Sequence, residues 1–147
     1  MAEILRRLQG DLNVARKAQQ KGRVLLLGSI ISDVKNREIE LKRDLSDDDV
    51  TEVLWKGIKR RRESIEMFDK GGRADLADTE RNEAEALGTY LPAGVSDDEI
   101  RDAAVAAIEG GATNIGAVMG KVIPQFKGRA EGGTINAIVR EELAKRA

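Results

Sequence analysis

The sequence predicts an all-α protein: a multihelical array of two blocks, with four helices in the N-terminal block and three in a small C-terminal domain. Apolar side chains recur at spacings of three and four in each long segment, which is typical of amphipathic helices. No segment shows the period-two alternation of a strand. Ala, Leu, Glu, Arg and Lys are abundant, and these residue types favour helix. Aromatic residues make up only 3% of the chain, so the core is expected to consist of aliphatic side chains.

The first two helices are predicted over residues 2–20 and 23–42, with a break at Lys21 and Gly22. Each carries one apolar face, as expected of a helix that packs on a core. The inward positions of the two helices are Ile4, Leu5, Leu8, Leu12 and Ala15, and Leu27, Ile30, Ile31 and Val34.

The third helix follows Ser46, because a serine before a run of acidic residues is a favourable helix start. Gly71 and Gly72 end this helix, and the fourth covers residues 74–89. Trp55 and Tyr90 are interpreted as packing anchors. The inward positions of the two helices are Val50, Val53, Leu54, Ile58, Ile65 and Phe68, and Leu76, Ala84, Leu87 and Leu91.

The clearest domain boundary lies at residues 92–94, where Pro92 and Gly94 interrupt the helical pattern. It separates an N-terminal helical domain, residues 1–91, from a three-helix domain, residues 95–147. Ser96 and Glu99 match a capping box at the start of helix five. Helix six is expected after Thr113 or Asn114, and helix seven near Gly133. The inward positions of helix five are Ile100, Ala103, Ala104, Ala107 and Ile108. Those of helix six are Ile115, Val118, Met119, Val122, Ile123 and Phe126. Those of helix seven are Ile135, Ile138, Val139 and Leu143.

The composition limits the chemistry that the chain can perform. It contains neither cysteine nor histidine, which removes disulfides, thiolates and the commonest general base and metal ligand. No apolar run is long enough to span a membrane, and the N-terminus lacks a signal-peptide core. We therefore expect a soluble cytoplasmic protein without catalytic residues, metal or cofactor. Acidic and basic segments alternate, so nucleic-acid binding would require a local basic face.

Residues 115–136 form the most unusual stretch, because they combine a helical pattern rich in small residues with a glycine-rich basic turn. Gly116 and Gly120 do not belong to a phosphate-binding loop: the spacing is one residue short, Val122 replaces the Ser or Thr, and no strand precedes them. We interpret the two glycines as positions where helix six packs closely against helix five or seven.

The second part of this stretch, residues 127–136, predicts an anion site at the start of helix seven. Glycines leave backbone N–H groups exposed there, and the helix dipole adds positive potential. Lysine, arginine, threonine and asparagine would add charge and neutral donors. The alternative is an ordinary helix–turn–helix connection. The candidate contact residues for nucleic acid are Gly120, Lys121, Lys127, Gly128, Arg129, Thr134 and Asn136.

Two other charged segments are given simpler interpretations. The run at residues 59–62 wraps around helix three and is expected to be solvated and to pair with Glu63 and Glu66. The acidic residues of helix four are expected to pair with Arg73 and Arg81, without forming a metal site.

Three stretches resemble the GatB/YqeY family, and most closely its stand-alone YqeY-like members. They are the basic segment 58–68, the run Gly71-Gly-Arg-Ala-Asp-Leu76 with Glu80, Glu83 and Tyr90-Leu-Pro92, and residues 115–132. The match covers nearly the whole chain in order. Ala117 stands where the family usually has lysine, and Ile115 where it has methionine. Lys121, one turn on, is expected to replace part of the lost charge.

The resemblance implies an all-helical fold whose C-terminal domain is similar to the tail of the B subunit of the tRNA-dependent amidotransferase. That tail contacts tRNA away from the catalytic part, which is absent from this sequence. The first hypothesis is therefore a non-catalytic module that binds tRNA or a tRNA-processing enzyme. The alternatives are a protein-interaction adaptor and an accessory of carbon–nitrogen ligase activity.

Overall fold

The computed structural model describes residues 1–92, 94–126 and 129–146 of the chain. Within these ranges it contains seven α-helices and no strand, which confirms the predicted fold class. No helix in the described ranges combines the length and the apolar character needed to cross a membrane. The helices are α1 (Glu3–Lys17), α2 (Lys21–Leu41), α3 (Asp47–Lys70), α4 (Ala74–Gly88), α5 (Asp97–Glu109), α6 (Ile115–Phe126) and α7 (Gly132–Ala144).

Contacts between residues divide the chain into two compact units. Unit 1 comprises Met1–Leu91 and holds α1 to α4, and unit 2 comprises Pro92–Ala147 and holds α5 to α7. Each unit has its own cluster of buried apolar side chains.

The core of unit 1 is built around α3, which contacts each of the other three helices. Its largest fully buried side chains include Leu8, Leu27, Ile30 and Leu54. The predicted inward faces of α1 and α2 are buried as expected. On α3, however, Ile65 and Phe68 remain only half-buried, because the helix extends past the part that α1 and α2 cover.

Tyr90 is the largest buried side chain of unit 1, at 2% exposure. Its hydroxyl donates to a carboxylate oxygen of Asp11 on α1, and the Arg7 guanidinium lies over its ring, 5.0 Å from the centroid. Burial and the bond to Asp11 raise the pKa of Tyr90 to about 12. The end of unit 1 is thus fastened to its first helix.

The breaks between the helices of unit 1 have local causes. The chain turns between α1 and α2 at residues 18–20, where Gln19 takes a positive φ of 56°, and Lys21 and Gly22 already belong to α2. The predicted break at these two residues is therefore wrong. Ser46 starts α3 with a full capping box, in which it exchanges hydrogen bonds with Asp49. The Arg43 guanidinium, 2.6 Å from Asp49, keeps the pKa of that carboxyl well below its usual range.

Close packing in unit 1 requires one glycine, Gly57 on α3. A Cβ atom at this position would lie 3.2 Å from Cδ1 of Ile30 and 3.5 Å from Cδ1 of Leu87. Gly57 therefore allows α2 and α4 to approach α3 closely, a role that the sequence analysis did not assign to it.

Unit 2 is a three-helix arrangement in which each helix contacts the other two. Ile100, Val118, Val122 and Val139 are fully buried in its core, and Phe126 is the only aromatic side chain there. Ser96 caps α5 by accepting from the backbone N–H of Glu99 at 3.2 Å. The capping role of Ser96 is confirmed.

Candidate nucleic-acid interface

α6 is positioned by a cap and by one buried apolar row. The Asn114 side chain accepts from the backbone N–H of Ala117 at 2.9 Å, which satisfies a free donor at the helix start. Val118, Val122 and Phe126 then follow at intervals of four and are buried. Ile123 was expected to face inward but is 41% exposed. It directly follows Val122 in the chain, so the helix turns its side chain away from the buried row.

The glycines of α6 lie on its exposed side. A Cβ atom at Gly120 would meet no atom within 4 Å, and one at Gly116 would meet only the Oδ1 atom of Asn114 at 3.5 Å. The interpretation of these residues as contact points with α5 or α7 is therefore wrong. Since the valine row provides the packing within unit 2, the glycines leave a low, open surface.

Pro124 adds a second irregularity to this helix. A proline has no N–H, so the usual helical hydrogen bond to the carbonyl oxygen four residues earlier, that of Gly120, cannot form.

Lys121 is exposed, and its ammonium group lies near the end of α5. A Cβ atom at Gly110 would be 3.9 Å from Lys121 Nζ and 3.2 Å from the carbonyl oxygen of Ala106. A cation beside the last carbonyls of a helix is favourable. Lys121 therefore contributes to unit 2 itself, in addition to any contact with an anion.

The connection between α6 and α7 contains three of the predicted contact residues, of which Lys127 and Gly128 lie outside the described residues. Arg129 is exposed. Its backbone N–H donates to the carbonyl oxygen of Phe126 at 2.8 Å, and its guanidinium lies 6.0 Å from the centre of the Phe126 ring. The aromatic ring thus supports a surface cation.

The start of α7 is open to solvent. Cβ atoms at Gly132 and Gly133 would meet nothing within 4 Å, and the side chain of Glu131, which precedes the helix, makes no capping hydrogen bond. The first turn therefore presents backbone N–H groups at the positive end of the helix dipole.

Thr134 and Asn136 are held differently. Thr134 is exposed and lines a shallow cleft between α5 and α7. Asn136 is half-buried, and its Oδ1 atom accepts from Arg140 Nε at 2.7 Å. Arg140 is a cation next to the predicted site that sequence reasoning missed, although its i, i+4 spacing from Asn136 could have indicated it.

The structure does not bring all predicted residues to one point. The cleft at Thr134 is also lined by Asp97 and Arg101, near the start of α5, whereas Lys121 lies near the end of that helix. α5 has 13 residues and is therefore about 18 Å long. Lys121 and Thr134 cannot contact the same phosphate group.

Acidic side chains bound this region on one side. Glu131 and Glu141 line the cleft together with Asp97. These carboxylates weaken the positive potential on the α5 side of the α7 start, so charge favours an anion at Arg129 and the backbone N–H groups, with Thr134 as a neutral donor at the edge.

Unit 2 contains one buried acidic residue, Glu142, which sequence reasoning missed because it sits among other charged residues near the C-terminus. It is 3% exposed. Lys145 and Arg146 donate to its carboxylate at 3.0 Å each, which lowers the pKa of Glu142. Arg101 Nε of α5 lies 3.1 Å from the same carboxylate as an ion pair, without hydrogen-bond geometry. The network joins α5 to α7.

The other charged segments are engaged in ion pairs. Arg60 pairs with Asp33 on α2 at 2.8 Å, and Arg61 pairs with Glu83 on α4 at 3.1 Å. These two pairs join helices, and the expected pairing of the basic run with Glu63 and Glu66 stays a prediction. The expected pairs of α4 do form, from Arg73 to Asp75 and from Arg81 to Asp78. Within the described part of the chain, no group of three acidic side chains is arranged to hold a metal ion.

Comparisons with known proteins give a family and several relatives for this chain. A family model described as Yqey-like protein matches residues 5–143. The chain is 32% identical over 133 residues to altered inheritance of mitochondria protein 41, mitochondrial, of Pyrenophora tritici-repentis, covering 86% of this chain and 73% of the relative. The protein of the same name in Lachancea thermotolerans is 34% identical to this chain, over 57% of this chain and 46% of the relative. The one in Clavispora lusitaniae is 33% identical, over 67% of this chain and 59% of the relative.

These matches bear on location and on family. The chain spans between about half and three quarters of the length of these relatives. Their names are mitochondrial, so the cytoplasmic location predicted from the sequence is wrong by this comparison. A lack of cysteine is compatible with any reducing compartment and does not single out the cytosol. The family match extends over nearly all of both units, and the chain belongs to the YqeY-like protein family.

Proposed function

We propose that this protein is a non-catalytic module that binds tRNA through the exposed side of α6 and the start of α7, alone or together with a tRNA-processing enzyme. The observation that carries the proposal is the pair of open glycines at the start of α7, close to Arg129 in the chain, together with a further open glycine on α6. Gly120, Gly132 and Gly133 all have empty space where a side chain would stand. Glycine in a helix costs about 1 kcal/mol relative to alanine. Without a packing requirement inside unit 2, close approach of a ligand backbone accounts for them.

The chemistry of the region supports a phosphate ligand. The first turn of α7 offers N–H groups at the positive end of a helix, and Arg129 adds a full charge beside it. Thr134 adds a hydroxyl group. Arg140 lies on α7, is held by Asn136 and adds a second guanidinium group to the region. The family membership of the chain supports the same proposal through the resemblance of unit 2 to the tRNA-contacting tail of the amidotransferase subunit.

The distribution of the residues supports contact with an extended molecule. Lys121 and Thr134 lie toward opposite ends of α5, a helix about 18 Å long. Two separated phosphates of one polynucleotide can engage both, whereas a mononucleotide cannot.

The proposal is tested by filter binding of total tRNA to the full chain at several salt concentrations. Replacing Lys127 and Arg129 by glutamate removes two cations from the proposed surface. We expect weaker binding and a shallower dependence of log K on log[salt], by about one unit for each lost phosphate contact. The matched control is Arg6→Glu with Lys59→Glu, two exposed cations of unit 1. Equal affinities for both variants and the unaltered protein would refute the proposal.

An accessory role in amide formation requires a separate assay. The purified chain would be added to an amidotransferase with glutamine, ATP and mischarged tRNA. Faster amide formation in its presence, and none by the chain alone, would support an accessory without catalytic residues of its own.

A protein-interaction adaptor is the second candidate, and one observation favours it. Gly116, Gly120 and Ile123 lie at i, i+4 and i+7 on the exposed side of α6, so they form a narrow seam on which another helix could pack. Replacing Gly120 by leucine blocks this seam. A partner that is captured after nuclease treatment by the unaltered chain, and lost with Gly120→Leu, would favour the adaptor.

A further inference from the structure

A second surface that nothing above uses lies in unit 1, in a groove of about 770 Å³ between α1 and α2. The two helices are joined by residues 18–20 and therefore run antiparallel. Gly28 of α2 forms part of the floor, and a Cβ atom there would meet nothing within 4 Å. The groove is thus open along its length.

The polar side chains of this groove have no hydrogen-bond or ion-pair partner among the residues that the structure describes. Four neutral residues that can donate hydrogen bonds line it, and none forms a side-chain hydrogen bond with the described part of the chain: Gln9, Asn13, Ser29 and Ser32. Most arginines of unit 1 are engaged by carboxylates, yet Arg16 and Lys35 in this groove have no ion pair among the described residues. None of the eleven described residues that line the groove is acidic. Its potential is therefore positive and its donors are available.

The positions of the two cations exclude a single small anion. Arg16 is next to the last residue of α1, level with the first turns of α2, whereas Lys35 lies far along α2. The ten residues from Leu25, at the Arg16 end, to Lys35 correspond to about 15 Å. One inorganic phosphate cannot contact both cations, so the ligand must carry negative charge along its length.

The lining favours a phosphodiester backbone over an acidic protein helix. A helix that binds in a groove needs several apolar anchors at i, i+3, i+4 and i+7 spacing. Here only Leu25 is a large exposed apolar side chain, at 75%, because Leu12 and Ile31 are buried in the core. Hydroxyl, amide, Arg and Lys side chains are instead the usual partners of phosphate and sugar oxygens.

We propose that the α1–α2 groove is a second RNA-contacting surface, in which Arg16 and Lys35 each neutralise a phosphate and Asn13, Ser29 and Ser32 donate hydrogen bonds to the backbone between them. Gly28 lets that backbone approach the floor of the groove. The inference rests on the proposed function only for the choice of tRNA as a probe.

The first test removes the charges. Full-length protein with Arg16→Ala and Lys35→Ala is compared with Arg6→Ala and Lys59→Ala, two exposed cations outside the groove that also lack ion pairs among the described residues. Binding of total tRNA is measured by filter retention across a salt series. We expect the groove variant to lower the slope of log K against log[salt] by about two units, and the control to leave it unchanged. Equal slopes for the two variants would overturn the proposal.

The second test fills the groove without changing charge. Gly28→Leu introduces a side chain where the structure has open space, and it raises helix propensity, so the variant is expected to fold. Its circular dichroism confirms folding before binding is measured. We expect the same loss of RNA affinity as with the charge variant. Unchanged affinity of folded Gly28→Leu would show that the groove is not occupied by RNA.

Further probes separate this proposal from its alternatives. Single-stranded polyuridylate is expected to bind with the same dependence on Arg16 and Lys35, even if tRNA proves not to be the ligand of unit 2. Conversely, if Lys127→Glu with Arg129→Glu weakens tRNA binding and the groove variants do not, the proposed function stands and the groove inference fails. If polyglutamate binds as tightly as RNA, and its binding depends equally on Arg16 and Lys35, the ligand of the groove is an acidic protein and the RNA proposal is overturned. Inorganic phosphate is expected to compete only at concentrations that screen charge generally.

Discussion

The two units reach stability by different means. The core of unit 1 is made of large aliphatic side chains and Tyr90, and ion pairs between helices surround it. Unit 2 has a smaller core, in which three of ten buried apolar residues are alanines, and a buried carboxylate joins two of its three helices. With about 55 residues, unit 2 is near the size at which one core is barely sufficient. The comparison indicates that unit 1 depends on apolar volume and unit 2 on specific polar contacts.

The chain offers a direct way to observe the two units separately. Its single tryptophan, Trp55, and its single tyrosine, Tyr90, both lie in unit 1. Tryptophan fluorescence therefore follows unit 1, while far-ultraviolet circular dichroism follows the helices of both units.

The largest effect is expected from Leu54→Ala in the centre of unit 1. Leu54 is 0% exposed, and removing a fully buried leucine side chain costs about 2–5 kcal/mol of unfolding free energy. Urea unfolding followed by tryptophan fluorescence measures this loss. Leu25→Ala, at a position 75% exposed, is the control and should change stability by less than about 0.5 kcal/mol. Similar losses for the two variants would contradict the assignment of the core.

The next effect is expected in unit 2, from Glu142→Gln. The neutral amide leaves Arg101, Lys145 and Arg146 without their carboxylate, so the dichroism transition of unit 2 should shift to lower urea. Glu141→Gln, on the exposed neighbour, is the matched control. If Glu142→Gln shifts the tryptophan fluorescence transition of unit 1 instead, the assignment of the Glu142 network to the stability of unit 2 is contradicted.

The same carboxylate gives unit 2 a dependence on acid. The pKa of Glu142 is lower in the folded state than in the unfolded state, where it is about 4.3. The carboxylate of Glu142 therefore stabilises unit 2 fully above the unfolded pKa, and this stabilisation is lost as pH falls through the folded pKa. In unfolding measurements between pH 6 and pH 3, Glu142→Gln should reduce the acid sensitivity of the dichroism transition.

Unit 1 should respond to alkali through Tyr90. Its pKa is raised to about 12, above the unfolded value of about 10, so the stabilisation is complete below pH 10 and is lost as pH rises toward 12. Because the chain has one tyrosine, phenolate absorbance reads this group directly. Tyr90→Phe should cost about 1.5 kcal/mol at neutral pH by removing the bond to Asp11. A tyrosine that titrates near 10 in the folded protein would refute the assignment.

The smallest effects, of opposite sign, are expected from two glycines. Gly57→Ala should destabilise unit 1, because its methyl group would stand 3.2 Å from Cδ1 of Ile30, and Ile30, at 1% exposure, is enclosed by the core and has little room to move aside. Gly120→Ala should stabilise unit 2 by up to about 1 kcal/mol, because nothing obstructs the methyl group and alanine favours helix. Thermal unfolding by circular dichroism measures both. Destabilisation by Gly120→Ala would show that this glycine is needed for packing after all.

Sequence patterns predicted the helices well, because spacing determines which side chains share a face. Ser46 and Ser96 marked helix starts through local chemistry, and both cap as expected. The glycines were harder to interpret. Gly57 and Gly120 look alike in sequence, yet only the arrangement of neighbouring helices determines that one is enclosed and the other exposed.

The candidate site was predictable only in part, for the same reason. Thr134, Asn136 and Arg129 could be chosen from residue type and position. That Lys121 lies at the far end of α5, and that Asn136 holds Arg140, depends on how α5, α6 and α7 pack. The partners of Arg60 and Arg61 lie on α2 and α4, which no local spacing could indicate.

The bond between Tyr90 and Asp11 also has a consequence for the order of folding. Its two residues are 79 positions apart, so it joins nearly the first and nearly the last residues of unit 1. During synthesis, α1 and α2 can pair early, but α1 cannot complete its contacts until Tyr90 has left the ribosome. We therefore expect nascent chains in which Tyr90 has not yet emerged from the ribosome to be sensitive to protease, and chains long enough to expose Tyr90 to become resistant in a single step.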